Sequence, residues 1–557
     1  MQLLFLLIAM LFTQGEAAPW RFAVFADTQW PLESDSVSTV GNPHSVSVDF
    51  INQINGRLRT LHDIDFVVYL GDLGDAMDIE SIQARATWSQ ELYDAGIGVF
   101  PVRGNHDDGP HSAREFSRVF PQTVDGVMNR TPADAFLWTD SNLHHPVLSP
   151  RGTFQMGNDF SSPDCAPGRS YAFEYRGVTL ALIDQYMDER ARYCEAKDQL
   201  DWLENVLSSR ADSTPAFVVA HKPLIGACHD DNLFGDDPSA DSANTTKFMH
   251  ILNDNKVYAY ISGHDHLLQH SLIDEPGPGG KTVEQFIFQG ASWKLYPALV
   301  SPTIDEKFNV PAYGKTRETL INSETGTIGY QIFEVDGPRV EANSWAALTG
   351  ITWGELKESM DLRDKFEIRH RWGWSLRGKQ TVLKQNDDLS ALNDVYQGTE
   401  VKILSGKWKA TTKDFYRREL SALASTDWRS LAGFQSAVWT VWGLEVENGK
   451  WDTPTYTLSM TVKEGADVSD KTCLMRLEDG HWRCAGAEPL QNGPWSSTQK
   501  LGAQGYDPAT KTAWAVVNRG GDFAVGYEGM TVSTMPKSIK EKSEIAEPNY
   551  DLLGRKK

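Results

Sequence analysis

Five short apolar runs, each ending in a polar motif, constrain this chain more than any other feature of its sequence. They are RFAVFAD ending at Asp27, DFVVYLGD at Asp72, GVFPVRGNHD at Asp107, AFVVAHKP at Pro223 and VYAYISGHDH at His266. Each run is short and β-type, and segments of helical period lie between them, which indicates a layered α/β domain from Arg21 to about Arg339. In open α/β sheets the loops at the carboxyl ends of the strands gather along one edge, where ligands bind. Five polar motifs at five strand ends are therefore expected to meet in one site.

Their residue types are those of a two-metal centre. Two divalent cations about 3.5 to 4 Å apart repel strongly, so they require a bridging carboxylate and further oxygen and nitrogen ligands. Asp27 and Gln29 in ADTQ stand at i and i+2 and share a direction on extended backbone. Asp72 in LGDLGD is the candidate bridge, Asn105 in RGNHD offers an amide oxygen, and His221 in VAHKP offers an imidazole. His264 and His266 in SGHDH form a second i, i+2 pair. Taken singly, each has a bland reading: an Asp after a strand usually caps a turn, and a lone His is usually a surface or satisfied core residue. Five motifs in order outweigh that reading.

The series D-x-Q, GDxxD, GNHD, AHKP and GHDH resembles the calcineurin-like metallophosphoesterase superfamily over roughly residues 20 to 340. SYAFEYRGVTLALIDQY, QLDWLENVL and FIFQGASW extend the likeness. The resemblance implies a layered β-sandwich flanked by helices, and two divalent or trivalent metal ions drawn from Mn, Fe, Zn or Mg. It implies that Asp27, Gln29, Asp72 and His266 hold one ion, and Asp72, Asn105, His221 and His264 the other. It further implies that a hydroxide bridging the ions attacks phosphorus while His106 protonates the departing alkoxide from the opposite side. Asp107 would either orient that imidazole or cap its loop. Gln29 departs from the commoner His; its neutral oxygen leaves the site charge unchanged and shifts preference toward harder ions such as Mn or Mg. No Tyr follows Asp72 in GDLGDAMD, which sets the purple acid phosphatase variant aside.

At 557 residues the chain exceeds one ordinary core. The expected division is a signal peptide over 1–18, the phosphoesterase domain over 19–340, a Trp-rich, mostly β domain over 341–535 and a flexible tail over 536–557. The first segment has an apolar run from Leu3 to Phe12 followed by small residues, too short to span a bilayer, although no Lys or Arg precedes it. No later run approaches the length of a membrane helix. Export follows as an expectation, whether to medium, periplasm or a secretory lumen. Five cysteines fit an oxidising compartment loosely: Cys473 and Cys484 flank a hairpin-like CLMRLEDGHWRC, while the pairing among Cys165, Cys194 and Cys228 stays open. The acidic run at 228–241 reads as a solvated loop.

A formal charge of −22 repels polyanions, which disfavours a nuclease of the same superfamily. The substrate class is then a small phosphomonoester or phosphodiester. A rival is a secreted glycan- or protein-binding protein on an inactive phosphoesterase scaffold, with the Trp-rich domain as the docking surface.

Overall fold

The computed structural model describes residues 19–29, 43–125, 160–235, 242–296 and 317–530, less short interruptions within the last four blocks. The expected signal peptide and tail lie outside the described residues.

The amino-terminal half is a sandwich of two sheets with helices outside. Its first βαβ series is β1 (Trp20–Phe25), α1 (Pro43–Leu61), β2 (Phe66–Leu70), α2 (Ile79–Asp94), β3 (Gly98–Val102) and α3 (Pro110–Val119). A second follows: β4 (Tyr171–Tyr175), β5 (Val178–Ile183), α4 (Leu200–Ser209), β6 (Ala216–Ala220), α5 (Ser242–Asp254), β7 (Ala259–Ser262), β8 (Leu268–Asp274) and β9 (Thr282–Ile287). Long antiparallel strands close it: β10 (Glu318–Glu324), β11 (Thr327–Asp336), β12 (Arg339–Leu348) and β13 (Glu367–Ser375). One sheet runs β13-β12-β11-β1-β2-β3 and the other β10-β8-β9-β7-β6-β5-β4. Strands β1, β2 and β3 are parallel neighbours, as are β5, β6 and β7. Each sheet therefore directs its parallel strand ends one way.

These strands read as continuous apolar runs because both faces are covered. Between the sheets Phe22 stacks on Phe66 and Phe333, while Phe217 and Trp374 meet edge on. Fully burying such a ring contributes roughly 1.5–3 kcal/mol, so this aromatic layer is a main source of sandwich stability. The outer face of the second sheet packs α4 and α5 through Leu203, Leu207 and Phe248.

A boundary after residue 340 would fall inside β12, and β13 extends the first sheet to Ser375. The rise in Trp content is not a fold boundary: Trp372 and Trp374 belong to the sandwich core, and Trp345 packs against it. Beyond Ser375 the chain is β-rich, with two six-stranded sheets and their own core of Val401, Trp439, Leu458, Ala515 and Val525. It is docked on the first half through Trp442, whose ring fills the space beside Gly373 and whose indole donates to Glu341 Oε2 at 3.0 Å. Trp439, Trp442, Trp482 and Trp514 are all buried, so these rings are core and not a docking platform. Disulfides join Cys473 to Cys484, across the hairpin as expected, and Cys165 to Cys194; Cys228 is buried and outside both. No helix among the described residues is long and apolar enough to cross a membrane.

One carboxylate, largely shielded from solvent, lies between the sheets away from the strand ends. Glu284 on β9 accepts the indole N–H groups of Trp372 and Trp374 and lies 3.6 Å from His270 Nε2. Burial raises its carboxyl to about 8, with the two indole donors opposing. The unfolded chain ionises near the ordinary value while the folded chain keeps the proton, so stability falls as pH rises from about 4.5 to 8. The Glu284→Gln variant keeps an acceptor for the indoles and should lose that decline. We expect its stability, relative to wild type, to improve between pH 5 and 8 by on the order of 3 kcal/mol, measured by urea unfolding at both pH values. An unchanged difference would show that Glu284 is ionised in the fold.

Candidate metal centre

The five polar motifs meet where the two sheets' strand ends face one another. Asp27 follows β1, Asp72 follows β2 and Asn105 follows β3 in one sheet, while His221 follows β6 and His264 and His266 follow β7 in the other. Main-chain bonds zip the loops together: Asp27 N donates to Gly71 O (3.1 Å), Gln29 N to Asp72 O (2.8 Å) and Gly263 N to His221 O (3.0 Å). The sheets are joined by the His264 amide, which donates to both carboxylate oxygens of Asp27 (3.0 and 3.1 Å). The His106 amide donates to Asp72 Oδ1 (2.9 Å).

The backbone is strained here in a way that ordinary packing does not require. Asp27, Gln29, Asp72, His264 and His266 all have positive φ, between 40° and 73°. Non-glycine residues enter that region at a cost and cluster there at functional sites. Two glycines make room for the carboxylates: a Cβ on Gly104 would lie 2.0 Å from Asp72 Oδ1, and one on Gly263 would lie 2.5 Å from Asp27 Oδ2. The Gly in GNHD and the Gly in SGHDH are thus spaces for the acids of other loops.

The three imidazoles share one arrangement. His221 Nδ1 donates to Leu70 O (2.8 Å), His266 Nδ1 to Lys294 O (2.9 Å) and His264 Nε2 to Asp231 Oδ1 (2.9 Å). In a neutral ring the other nitrogen then carries the lone pair, and in each case it turns inward. His221 Nε2 lies 2.9 Å from Asn105 Oδ1, 3.2 Å from Asp72 Oδ1 and 3.2 Å from His264 Nδ1. His266 Nε2 lies 3.5 Å from Asp27 Oδ1. Acceptors crowded against acceptors are reconciled only by a cation among them, a proton or a metal. Gln29 donates its amide to Asp72 Oδ2 (3.3 Å), and its buried Oε1 has no hydrogen-bond partner among the described residues.

Protonation follows the same logic. Burial opposes charge on His221, but the adjacent Asp72 carboxylate, its hydrogen bond and Asp27 lift the imidazole to about 9. Burial holds His266 down at about 3 and also lowers His264. Asp72 stays well below the usual carboxylate range: burial works against its charge, and His221, His106 and His264 overcome that. Asp27 is pushed up by burial and by the Asp72 charge. Ligand atoms of Asp72, His221 and His264 lie within 4.8 Å of one another, and so do those of Asp27, Asp72 and His266. Two groups sharing Asp72 fit a pair of cations with that carboxylate between them.

Residues 21–268 match the family model of the calcineurin-like phosphoesterases. Over this part the chain is similar to that family. Similar solved structures include a purple acid phosphatase from yellow lupin (Lupinus luteus), 15% identical over 65% of this chain and 54% of that one, with a TM-score of 0.35. PhoD is 11% identical over 65% and 70% of the two chains, with a TM-score of 0.37. A dimetal phosphatase from Danio rerio is 15% identical over 58% and 95%, with a TM-score of 0.33. The chain thus spans about half the length of the lupin protein. No curated protein matches its sequence.

Within this calcineurin-like domain, all eight candidate residues come together, His106 included: its Nε2 is 4.0 Å from Asp72 Oδ2 and its side chain is 32% exposed. Of the two readings of Asp107, the structure shows the cap. Its carboxylate accepts the amides of Leu73, Gly74 and Gly104, each at 2.9 Å, and burial followed by the Asp72 charge raises it to about 6. The His106 ring is held instead by Asp75, whose carbonyl accepts from Nδ1 at 2.9 Å. Beneath this loop Arg103 makes a two-pronged ion pair with Asp184 (2.7 and 2.9 Å), both fully buried.

Four further residues border the cage. Asp231 holds His264; His229, held by Asp265 at 2.7 Å, lies with its ring 4.3 Å from that of His264; Tyr296 lies against His266. Asp75 was visible as the second acid of GDLGD. Asp231 sits in the acidic run that composition assigns to a solvated loop, and no periodicity marks His229 or Tyr296.

Proposed function

We propose that this protein is an exported, metal-dependent hydrolase of a phosphomonoester or phosphodiester. Asp27, Gln29, Asp72 and His266 would hold one cation, Asp72, Asn105, His221 and His264 the other, and His106 would be the general acid. The observation that carries this reading is the set of three imidazoles, each with its outer nitrogen committed to an acceptor, while the inner nitrogens of His221 and His266 meet carboxylate or amide oxygens and that of His264 meets His221 Nε2. Bound there, two cations supply positive charge for the phosphate oxygens and lower the pKa of a water.

The chain's own groups do the rest. With Nδ1 donating to Asp75 O, His106 as an imidazolium keeps its second proton on Nε2, at the rim of the cage, where a departing oxygen needs it. Asp75 is in turn paired with Lys294, which fixes the carbonyl that orients the ring. Mono- or diester preference rests on cations that meet extra phosphate charge. Between residues 108 and 170, Arg118 on α3 is paired with Glu115 and Arg169 donates to the Tyr186 and Cys165 carbonyls; His144, His145 and Arg151 lie outside the described residues. Two disulfides support an oxidising, exported setting.

Metal analysis of the purified protein, with hydrolysis of aryl phosphate mono- and diesters under Mn, Zn or Mg, tests the reading. We expect about two ions per chain and turnover of at least one ester class. Neither metal nor turnover under any of these ions would overturn it.

A further inference from the structure

Every imidazole of the cage has its outer nitrogen anchored, but the anchors differ in kind. His221 and His266 are held by main-chain carbonyls, those of Leu70 and Lys294. His264 is held by a side chain, Asp231, at 2.9 Å from its Nε2. The position needs an anchor: His264 has the largest positive φ among the candidate ligands, 73°, and its Nδ1 sits 3.2 Å from His221 Nε2. A ring turned by half a rotation would present a hydrogen or carbon to the cage in place of that nitrogen.

Resting on the two-cation reading above, we propose that Asp231 is the positioning residue that fixes His264 as an Nδ1 ligand. A ligating imidazole that donates its other N–H to a carboxylate gains both a fixed tautomer and basicity. Asp231 is itself set in place. Its second carboxylate oxygen pairs with Lys222 Nζ, next in sequence to His221. One carboxylate therefore ties the loop after β6 to the loop after β7, and couples the two histidines of the same cation. The neighbouring His229 does not compete for it through Nδ1, which Asp265 holds. The Asp231 side chain is 24% exposed, so its replacement removes an anchor and leaves the core packed.

The test is Mn(II) titration calorimetry on the metal-stripped full-length protein. Wild type should bind in two steps. Asp231→Ala should weaken one of them by about 10–100-fold and leave the other nearly unchanged, with the thermal midpoint of the stripped protein preserved. Asp231→Asn, whose amide oxygen still accepts the Nε2 proton, should recover part of the loss. Unchanged steps, equal weakening of both, or an Asn variant as poor as Ala would overturn the assignment. Absence of any Mn(II) binding by wild type would instead overturn the two-cation reading, and the role of Asp231 with it.

Discussion

Replacing His106 with Ala should lower kcat by about 10²–10⁴-fold while both cations stay bound. The ring belongs to neither ligand group: its Nδ1 is committed to Asp75 O, its Nε2 is 4.0 Å from the nearest Asp72 oxygen, and a third of the side chain meets solvent. What ties residue 106 to the cage is its main-chain amide on Asp72 Oδ1, which Ala retains. An acid matters in proportion to the basicity of the leaving oxygen. The defect should therefore be largest for an alkyl or phenyl ester and shrink for a nitrophenyl ester, whose oxygen leaves without a proton. The measurement is kcat for the two esters in both proteins, with metal content beside it. A defect equal for both esters would remove the acid role, and loss of metal would make His106 a ligand.

Much of this site was legible because strand ends and motifs coincide. Five apolar runs, each closing on a motif that carries Asp, Asn or His, place the polar residues without knowledge of the sheet order, and in the fold they divide between two sheets whose ends face each other. What stayed hidden depended on contacts between distant loops. Gly104 reads as a loop residue until the Asp72 carboxylate is seen in the space of its missing side chain. Asp107 had two readings with the same sequence signature, and only the positions of the Leu73 and Gly74 amides separate them. Asp231 was masked by its company, since most acids in such a run face water. The extent of the first sandwich is hidden in the sequence for a related reason. Trp content rises at Trp345, yet Trp372 and Trp374 fill the first sandwich, where both donate to Glu284. Composition reports how apolar a segment is, not which core it enters.

The Asp72→Asn variant should be the most damaging single change at the cage, with turnover reduced by more than about a thousandfold. Asp72 is the residue shared by the Asp72, His221, His264 group and the Asp27, Asp72, His266 group. Two divalent cations about 4 Å apart repel by on the order of 15 kcal/mol even at an effective dielectric constant of about 20, and a neutral amide does not offset that. The substitution is isosteric and its oxygen still accepts the His106 amide, so the fold itself should survive. The discriminating readout is thermal. A ligand that binds only the folded state raises its stability by mass action, by roughly 2.7 kcal/mol at a hundred times Kd. Millimolar Mn(II) should therefore raise the wild-type midpoint and leave that of Asp72→Asn nearly still, while the two stripped proteins melt close together. A variant that melts early without metal would mean that Asp72 is chiefly structural, its charge holding His221, His106 and His264 in place. A variant that keeps the full metal-dependent rise would mean that the cations sit elsewhere, and that the lone pairs converging on Asp72 serve only to share a proton.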